Sequence, residues 1–467
     1  MTHKTLLEEF LTFEKENNLF KWEIDNVPIW ELLRMSVFTD LKNKLVNENI
    51  TINEQKTKKS IAIFFKFFIN SIFHNPFIKS KQKDYLILNH PRRKLNSGIY
   101  EDVYIDPLLP HLNDNYVVLE GYVNLNKDHY RPIQTENLYY LDILQLPSRL
   151  ISSLSVSAEL SHADKIRIME VETLINTNWN IQISTFEKKI SKFIKRWNFV
   201  LPKIERLILK INPKKVLNVV SYSFINQAFT FCAHKNSIPV IEFQHGTVGK
   251  YHIAYNYSFN EGIDIKTFPD IFLAWGKNWV KDARLPIPIN NIEPVGFPYY
   301  ELFFKKDDFT RNPKQVTVIS QYRKDIALLT KDIACALPDY EIIFKAHPAE
   351  YLDASIKYPF LTNMQNVRIV ADDKTHLYNL FRQSSFVVGV HSTALLEALA
   401  FCPNVLIAKL PGWEYFEDLE ENENLKFISN VNDFSQSVFK CAKTESNSTL
   451  LDYFEDESIK KIVNIIK

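Results

Sequence analysis

The 467-residue sequence contains only nine glycines, about 2% of the chain where about 7% is usual. Neither of the two glycine-rich phosphate signatures, GxGxxG and GxxxxGK[ST], occurs in it. Their absence argues against a dinucleotide-binding Rossmann site and against a P-loop. The sequence also has no DxD triplet that could hold a divalent metal through paired aspartates. We therefore expect neither a metal nor a bound cofactor.

The four cysteines are far apart and form no CxxC or Cys/His pattern: Cys232, Cys335, Cys402 and Cys441. Neither a zinc site nor a disulfide framework is indicated, and a reducing, cytoplasmic setting is expected. The first residues are charged and lack the apolar centre of a signal peptide. With 56 Lys and Arg against 55 Asp and Glu, the net charge is only +1, so we expect no nucleic-acid partner.

From residue 84 onward, short apolar runs alternate with helical patterns, which predicts open parallel sheets covered by helices. The first series of runs comprises YLILNH, YVVLE, VLNVV, PVIEF and DIFLAW. The second comprises VTVIS, EIIFK, VRIV, FVVGV and NVLIA. We predict two doubly wound α/β domains at 84–300 and 301–467. They should join near the proline-containing, charged stretch 291–315.

Residues 1–83 are predicted to form a helical segment, and 420–467 a closing helical region. The aromatic-rich run 61–73 is interrupted by Lys66 and flanked by further lysines. It is shorter than the roughly 20 residues that span a bilayer. Two interpretations stay open: a helix lying on an anionic membrane surface, or a helix packed in the core with basic ends.

Four of the twelve histidines end strand-like apolar runs: His90, His245, His347 and His391. Ligands of open α/β sheets bind beyond the carboxyl ends of the strands. The placement therefore predicts that histidines from both domains face one cleft. For any single one of them, an ordinary structural turn is the alternative.

The most informative stretch runs from Glu341 to Ile407, where strands ending in KAH and VVGVH each lead into a turn or a helix. Exposed backbone N–H groups and the helix dipole at such turns favour phosphate, so we predict a nucleotide mono- or diphosphate site. Lys345 is predicted to pair with a phosphate, and His347 to donate to a phosphate or leaving-group oxygen. Pro348 would stiffen the turn between them and the next segment.

The second turn of this stretch supplies hydroxyl donors. Ser392 and Thr393 are candidates for the helix N-cap and for contacts to phosphate, beside His391 as a further donor-binding residue. Glu397 lies one place beyond capping-box spacing from Thr393. We predict that it reaches a ribose hydroxyl, with a solvated helix residue as the alternative.

In the first domain, the motif QHGT places three candidates at a strand end. Gly246 would let backbone approach a ligand closely. His245 is a candidate base or phosphate donor, and Gln244 a candidate donor-binding residue. A structural turn is the alternative for the whole motif.

A second candidate region of the first domain is HPRRKLNSGIYEDVYID. The predicted acceptor-binding residues there are His90, Arg92, Arg93 and Asp106, with the arginines facing an anionic group. Glu101 and Asp102 are candidate catalytic carboxylates, one of which would deprotonate an acceptor hydroxyl. A solvated acidic turn is the alternative.

These motifs carry a resemblance. QHGT, a lysine-containing strand ending in HP, and a strand ending in ST before EAL resemble the bacterial capsule and cell-wall glycosyltransferases of the GT-B fold. That group includes capsule-type Kdo transferases, relatives of bacterial sialyltransferases and polysialyltransferases, and CDP-glycerol glycerophosphotransferases. AWGKNW and VGFPYYE are similar to segments preceding its second domain, and HST stands where paired serines are common.

The resemblance implies two Rossmann-like domains facing across a cleft, with the donor held mainly by the second. It implies His347 at the cytidine phosphate, Ser392 and Thr393 at phosphate oxygens, and Glu397 near ribose. In the glycerophosphotransferases the histidine of HGT assists deprotonation, which corresponds to His245. In the sialyltransferase relatives an acidic residue of the first domain takes that role. The nearest substitute here is the loop 101–106.

We predict a metal-independent glycosyltransferase that moves Kdo or a sialic-type nonulosonic acid from a CMP-activated sugar to a capsule or lipopolysaccharide glycan or glycolipid. The nucleotide sugar is a co-substrate, and the site would lie in the cytoplasm or on the inner face of the membrane. The alternatives are a CDP-glycerol or CDP-ribitol phosphotransferase, a UDP-sugar epimerase on the same scaffold, and a non-catalytic glycan-assembly protein.

Overall fold

The computed structural model describes residues 1–46, 61–122, 128–153, 160–183, 186–259, 262–304, 310–420, 425–440 and 452–467. The helices are α1 His3–Glu16, α2 Ile29–Leu45, α3 Ile61–Phe73, α4 Pro76–Lys79, α5 Asp142–Ser153, α6 His162–Asn178, α7 Phe186–Ile211, α8 Phe224–Lys235, α9 Lys277–Val280, α10 Pro298–Phe304, α11 Lys324–Ala336, α12 Ala354–Lys357, α13 Pro359–Thr362, α14 Leu377–Gln383, α15 Thr393–Ala398, α16 Val431–Lys440 and α17 Ser458–Ile466. The strands are β1 Glu23–Ile24, β2 Val27–Pro28, β3 Tyr85–Leu88, β4 Lys94–Asn96, β5 Ile99–Glu101, β6 Tyr116–Glu120, β7 Leu138–Tyr140, β8 Lys215–Asn218, β9 Val240–Phe243, β10 Ile271–Ala274, β11 Ile292–Pro294, β12 Gln315–Ile319, β13 Glu341–Lys345, β14 Val367–Val370, β15 Phe386–Gly389, β16 Val405–Ala408 and β17 Leu425–Ile428.

The first large sheet has seven strands in the order β11-β10-β9-β8-β3-β6-β7. Every pair of neighbours in it is parallel. The chain leaves β3 toward β6 and β7, and then returns to the other side of β3 with β8. The carboxyl ends of β3 and β8 therefore flank the crevice where open α/β sheets bind ligands.

The second large sheet has six strands in the order β14-β13-β12-β15-β16-β17, again all parallel. Its strand order reverses between β12 and β15. The central strands are almost entirely buried, as expected for strands covered by helices on both faces. The predicted pair of doubly wound α/β domains is confirmed.

Each of the ten apolar runs proposed as strands forms one, and three further strands of these sheets were not predicted. The missed strands β7, β11 and β17 are three or four residues long and lie at sheet edges. β11 lies inside the stretch 291–315 proposed as the domain junction, and β17 lies inside the region 420–467 proposed as helical. Short edge strands carry little continuous hydrophobicity, which explains why the pattern missed them.

The N-terminal helices α1 and α2 pack into the main core of the first lobe. Their apolar faces share one cluster with β3, β8 and the helices α7 and α8. A buried ion pair joins α1 and α2, because Arg34 Nε lies 2.8 Å from Glu14 Oε1 and both side chains are at most 1% exposed. Arg34 also donates to the carbonyl oxygens of Ile253 and Asn256, at 2.7 Å each. These helices thus fix the loop that follows β9.

The last helix, α17, belongs with the first sheet, although it follows the second in the chain. Ile462 and Ile466 lie in the apolar cluster beneath β3, β6 and β10. The incoming segment packs tightly on Gly296, whose φ is +88° and where a Cβ would lie 2.1 Å from the Glu455 carbonyl oxygen. The region 301–467 is therefore not one contiguous lobe. Its last helix, α17, buries its apolar face against the first lobe.

The run 61–73 forms the predicted helix, α3. In the described parts of the chain, none of the helices is both long and apolar enough to cross a membrane.

Candidate functional site

Four histidines lie at the carboxyl edges of the two sheets, each two residues beyond the last residue of its strand. His90 follows β3, His245 follows β9, His347 follows β13 and His391 follows β15. β3 and β15 also flank the points where the strand order reverses. All four thus lie at the edges where this class of sheet binds ligands.

In the first lobe, His245 is held between His90 and two tyrosines. Its ring centroid lies 6.0 Å from that of His90, and Tyr222 Oη lies 3.0 Å from His245 Nε2. The Tyr104 hydroxyl donates to the His245 carbonyl oxygen at 2.8 Å. Burial, helped by the neighbouring His90, lowers the pKa of His245 well below its ordinary value. The imidazole is therefore neutral at pH 7.

The tautomers of His90 and His347 follow from their turns. The Arg92 amide donates to His90 Nδ1 at 3.0 Å, and the Ala349 amide donates to His347 Nδ1 at 3.2 Å. An amide N–H can only donate, so His347 Nδ1 is the acceptor and that neutral ring carries its proton on Nε2. His90 Nδ1 also lies 3.3 Å from the Arg92 carbonyl oxygen, and the shorter contact to the amide favours the same tautomer. Neither Nε2 has a hydrogen-bond partner among the described residues. Each turn thus presents one fixed N–H donor.

The charge of Arg92 acts on histidines of both lobes. After burial, its charge is the next cause that lowers the pKa of His90, to about 4. The same charge contributes, behind burial, to the lowered pKa of His245 in the first lobe and of His347 in the second. Arg92 is exposed, and its guanidinium has no acidic or hydrogen-bonding partner in the part of the chain that the structure describes. One unpaired cation therefore lies among histidines of both lobes.

The turn after β13 is rigid because Glu350 is buried beneath it. Glu350 Oε2 accepts from the His347 amide at 2.8 Å and from the Ser320 hydroxyl, while Tyr358 donates to Oε1. Pro348 begins the short helix Pro348–Glu350 and is exposed. The direction of the His347 ring is therefore fixed by a buried carboxylate that sequence analysis did not single out.

Lys345 is not placed for the predicted contact to phosphate. Its side chain is buried, and Nζ donates to the carbonyl oxygen of Asp372. Burial lowers its pKa, while the charges of Asp372 and Asp373 act in the opposite direction. The residue is the last of β13, and its side chain anchors the neighbouring loop after β14. The role of Lys345 is therefore corrected from binding phosphate to positioning this loop.

Three candidates of the HPRRK region also need correction. Arg93 is buried and paired with Glu120 at 2.8 Å and with Asp106 at 3.0 Å, so neither Arg93 nor Asp106 is free for an acceptor. Asp102 is fully buried and accepts from the amides of His90 and Tyr104, at 3.0 and 2.9 Å.

Burial and the adjacent Asp106 charge raise the pKa of Asp102 to about 7. The buried oxygens of Asp102 hold the His90 turn and do not reach solvent. The predicted role of Asp102 as a base is therefore corrected to that of a residue that positions the His90 turn. Glu101 is half-buried and accepts from Asn96 Nδ2 at 3.1 Å. Its carboxylate has solvent access and is not held in an ion pair, whereas Asp106, 17% exposed, is paired with Arg93.

The turn after β15 is covered by a loop of its own lobe. The His391 ring stacks on Tyr415 with centroids 5.4 Å apart, and its amide donates to Gln321 Oε1 at 3.1 Å. Gly412 has φ of +101°, and a Cβ there would lie 2.6 Å from His391 Nδ1. Burial lowers the pKa of His391 to about 4. The ring is thus a neutral, packed group.

Ser392 is the N-cap of α15, and its hydroxyl accepts from the Ala394 amide at 3.3 Å. Thr393 is the first helical residue and is partly exposed. Glu397 is buried and accepts from the Tyr378 hydroxyl. That contact uses the Oε2 atom of Glu397. The predicted contact to ribose stays a prediction for Oε1.

In the QHG motif, Gln244 has a structural role and Gly246 is open to a ligand. Gln244 is buried, donating to the Gly246 carbonyl oxygen at 2.9 Å and accepting from the Trp275 amide at 2.7 Å. Its amide is used in shaping the turn, so the predicted donor contact is corrected. A Cβ built on Gly246 would meet no atom within 4 Å. The backbone there faces open space.

Contacts between the lobes come from residues that the sequence did not single out. The Tyr100 hydroxyl of the β4-β5 hairpin donates to Asp373 Oδ2 at 2.9 Å, and Lys94 Nζ lies 5.7 Å from the Tyr378 ring centroid. On another side, Lys250 Nζ lies 3.1 Å from Glu417 Oε1. These pairs are far apart in sequence and have no local pattern. Together they join the first lobe to the second.

A second polar network lies beside the site, at the carboxyl ends of β6 and β7. His129 Nδ1 lies 3.0 Å from Glu120 Oε1, and Nε2 lies 3.1 Å from Asp142 Oδ1. The ring stacks on Tyr140 with centroids 3.6 Å apart. Burial alone would lower the pKa of His129, but Asp142 and Glu120 raise it to about 9. His129 is therefore a buried imidazolium between two carboxylates.

Stability should depend on pH through His129. Its folded-state pKa of about 9 exceeds the ordinary 6.5, so its stabilising contribution is complete below about pH 6.5 and is lost as pH rises through 9. The loss should approach about 3 kcal/mol, since a tenfold change in proton affinity corresponds to about 1.4 kcal/mol. Urea unfolding from pH 6 to above 9 measures it. His129→Gln should flatten this decline, whereas the exposed His162→Gln should retain it. Equal slopes in all three proteins would contradict the assignment.

Two parallel α/β lobes, with the carboxyl edges of their strands turned toward one cleft, constitute the GT-B architecture. Among solved structures, UDP-GlcNAc 2-epimerase from Methanocaldococcus jannaschii is similar at 13% identity, covering 82% of this chain and 98% of that one with a TM-score of 0.48. The Neisseria meningitidis UDP-GlcNAc 2-epimerase bound to UDP-GlcNAc matches at 12%, covering 82% and 99% with a TM-score of 0.47. The glycotransferase of kitacinnamycin matches at 10%, covering 82% and 95% with a TM-score of 0.45.

These likenesses are too distant to argue for any activity. No protein-family model matches the sequence, and no curated protein matches it either.

Proposed function

We propose that this protein is a glycosyltransferase that binds the phosphate of a nucleotide-activated sugar between its two lobes. The observation that carries the proposal is the exposed, unpaired Arg92, whose charge acts on His90, His245 and His347, together with the two turns that direct the Nε2–H groups of His90 and His347 away from the backbone. A cation with two fixed imidazole N–H donors suits a phosphate group, because hydrogen bonds to an ionised acceptor are the stronger ones. The open backbone at Gly246 would let the ligand approach.

The same groups suit the chemistry of glycosyl transfer. As the bond between the anomeric carbon and the phosphate oxygen breaks, negative charge grows on the leaving nucleotide. Donors already oriented toward that charge lower the barrier, and such stabilisation is usually the largest catalytic term. The Nε2–H groups of His90 and His347 and the Arg92 guanidinium would supply it. Neutral His245 would accept the proton of the attacking acceptor hydroxyl.

The proposed donor is a CMP-activated Kdo or sialic-type nonulosonic acid, and the proposed acceptor is a capsule or lipopolysaccharide glycan or glycolipid. Support for this finer assignment comes from the order of the QHGT, HP and ST motifs along the chain. Reaction without a metal or resident cofactor is part of the proposal. So is a cytoplasmic location at the inner membrane surface.

A thermal-shift series with CMP, CDP, UDP and GDP tests nucleotide binding. A ligand at a hundredfold excess over its Kd stabilises by about 2.7 kcal/mol, which is worth several degrees in Tm. We expect CMP to give the largest shift and Arg92→Ala to remove most of it. Arg206→Ala is the matched control, since Arg206 is exposed on the half of α7 that leads to the amino end of β8. No shift with any nucleotide would contradict the proposal and favour a non-catalytic protein.

Product analysis with labelled donors separates the remaining possibilities. Release of CMP from a CMP-sugar with transfer of the sugar to an acceptor supports the proposal. Transfer of a phosphopolyol from CDP-glycerol or CDP-ribitol would show that the protein is a phosphotransferase instead of a glycosyltransferase. Conversion of a UDP-sugar without an acceptor would replace it with an epimerase.

A further inference from the structure

The helix α3 presents an apolar surface to solvent. Phe65, Phe68 and Phe73 are 63%, 61% and 60% exposed, and Ile72 on the same helix is also exposed. Leu150 on α5, which packs against α3, is 64% exposed. Large exposed apolar patches mark sites of interaction. We call these five side chains the α3 surface.

Arg196, beside the α3 surface, is partly buried and has no acidic partner among the described residues. This residue of α7 is partly buried, and its Nε atom is buried without a hydrogen-bond partner. Its guanidinium lies 4.0 Å from the Phe224 ring centroid, and no acidic side chain pairs with it in the described chain. A second cation, the exposed Arg149 of α5, lies nearby. Burial, and next the charge of Arg149, lowers the pKa of Arg196 to about 10.

Tyr122 joins the two arginines to α3. The Arg149 guanidinium lies 5.1 Å from its ring centroid. Its hydroxyl is buried without a hydrogen-bond partner, and both arginine charges act on it. On its other side, the Phe67 ring of α3 lies 5.4 Å away and is fully buried. Buried polar atoms usually have a partner, so the Arg196 Nε–H and the Tyr122 hydroxyl both favour a ligand that accepts hydrogen bonds.

We propose that this surface docks on an anionic phospholipid bilayer, with the phosphate of one lipid headgroup bound between Arg149, Arg196 and Tyr122. The occupant must offer negative charge to the arginines and hydrocarbon to the adjacent aromatic side chains, and an anionic lipid offers both. Exposed Lys79 and Lys81 follow α3 in the chain and add positive charge. This inference does not depend on the proposed reaction.

Vesicle sedimentation tests the proposal with the full chain. We expect binding to vesicles of phosphatidylcholine mixed with phosphatidylglycerol, weak binding to phosphatidylcholine alone, and weaker binding as salt is raised. Arg149→Gln/Arg196→Gln should weaken binding about tenfold or more, since each basic residue near the surface contributes appreciably. Phe65→Asp/Phe68→Asp should abolish it. The matched controls are Arg206→Gln and Ile356→Asp, two exposed side chains elsewhere.

Each outcome decides the inference. Failure of the wild-type chain to sediment with anionic vesicles overturns it, as does equal binding by the arginine variant. Saturable binding of glycerol 3-phosphate at the arginines without vesicle binding would also overturn it, in favour of a soluble anion. Thermal unfolding and the CMP-induced shift should be unchanged in the arginine variant, so its result is independent of the proposed reaction and bears only on the proposed membrane location. That variant still tests the inference if the phenylalanine variant fails to fold.

Discussion

His347→Ala is expected to lower kcat/KM about 10²- to 10³-fold while the protein still folds, as loss of one oriented donor to developing negative charge typically does. The physical reason is the turn after β13. The Ala349 amide occupies Nδ1, so the proton on Nε2 is directed away from the turn with no other partner among the described residues. Its pKa is lowered by burial, so the ring donates as a neutral imidazole. Steady-state kinetics with the donor identified by thermal shift measures the loss.

The variant His347→Asn separates catalysis from the architecture of the turn. An asparagine oxygen at this N-cap can still accept from the Ala349 amide, but the side chain no longer presents an N–H at the position of Nε2. We expect native stability with activity as low as in His347→Ala. His162→Ala, an exposed histidine at the start of α6, is the control and should be fully active. Full turnover by a folded His347→Asn protein would disprove the role assigned to Nε2.

Arg34→Leu is expected to reduce the free energy of unfolding by about 3–5 kcal/mol, because it leaves the Glu14 carboxylate buried without its partner. Both side chains are at most 1% exposed. The Trp30 indole would remain as the other donor to Glu14, at 2.7 Å. The carbonyl oxygens of Ile253 and Asn256 would also lose their donor. Urea unfolding measures the loss.

A double variant and an exposed pair serve as controls for this prediction. Glu14→Gln/Arg34→Met removes both charges and should recover part of the lost stability, since an uncompensated buried charge is the main cost. Arg284→Leu breaks an exposed pair with Glu8, at 2.6 Å, and should cost less than about 1 kcal/mol. A similarly small loss in Arg34→Leu would show that the pair is not what holds α1, α2 and the loop after β9.

Two adjacent arginines of the site have different roles that local sequence pattern does not predict. Arg92 and Arg93 are neighbours with the same side chain, and the sequence assigned both to an acceptor. In the structure Arg93 is buried between Glu120 and Asp106, while Arg92 is exposed and unpaired among the described residues. The direction of each side chain depends on β6 and on the segment after β5, which are separate elements of the chain. No sequence spacing distinguishes the two.

The supporting residues were missed for the same reason. Glu350 holds the His347 turn through Ser320 and Tyr358, and Tyr100 contacts Asp373 across the cleft. Each of these partners belongs to a different element. A carboxylate after HP is ordinary in sequence, and its role appears only when the second lobe is folded. A tyrosine in a hairpin is equally ordinary, and its role appears only when the second lobe packs against the first.

The sequence by itself determined the two parallel sheets and the histidines at their edges. Buried parallel strands are continuous apolar runs, and their carboxyl ends meet at one edge whatever the details of packing. Tertiary structure alone decided which charged side chains face the cleft and which are paired in the interior. It also placed α17 with the first lobe. Pairing a buried charge and covering an apolar helix face both depend on partners far away in the chain, which no local pattern specifies.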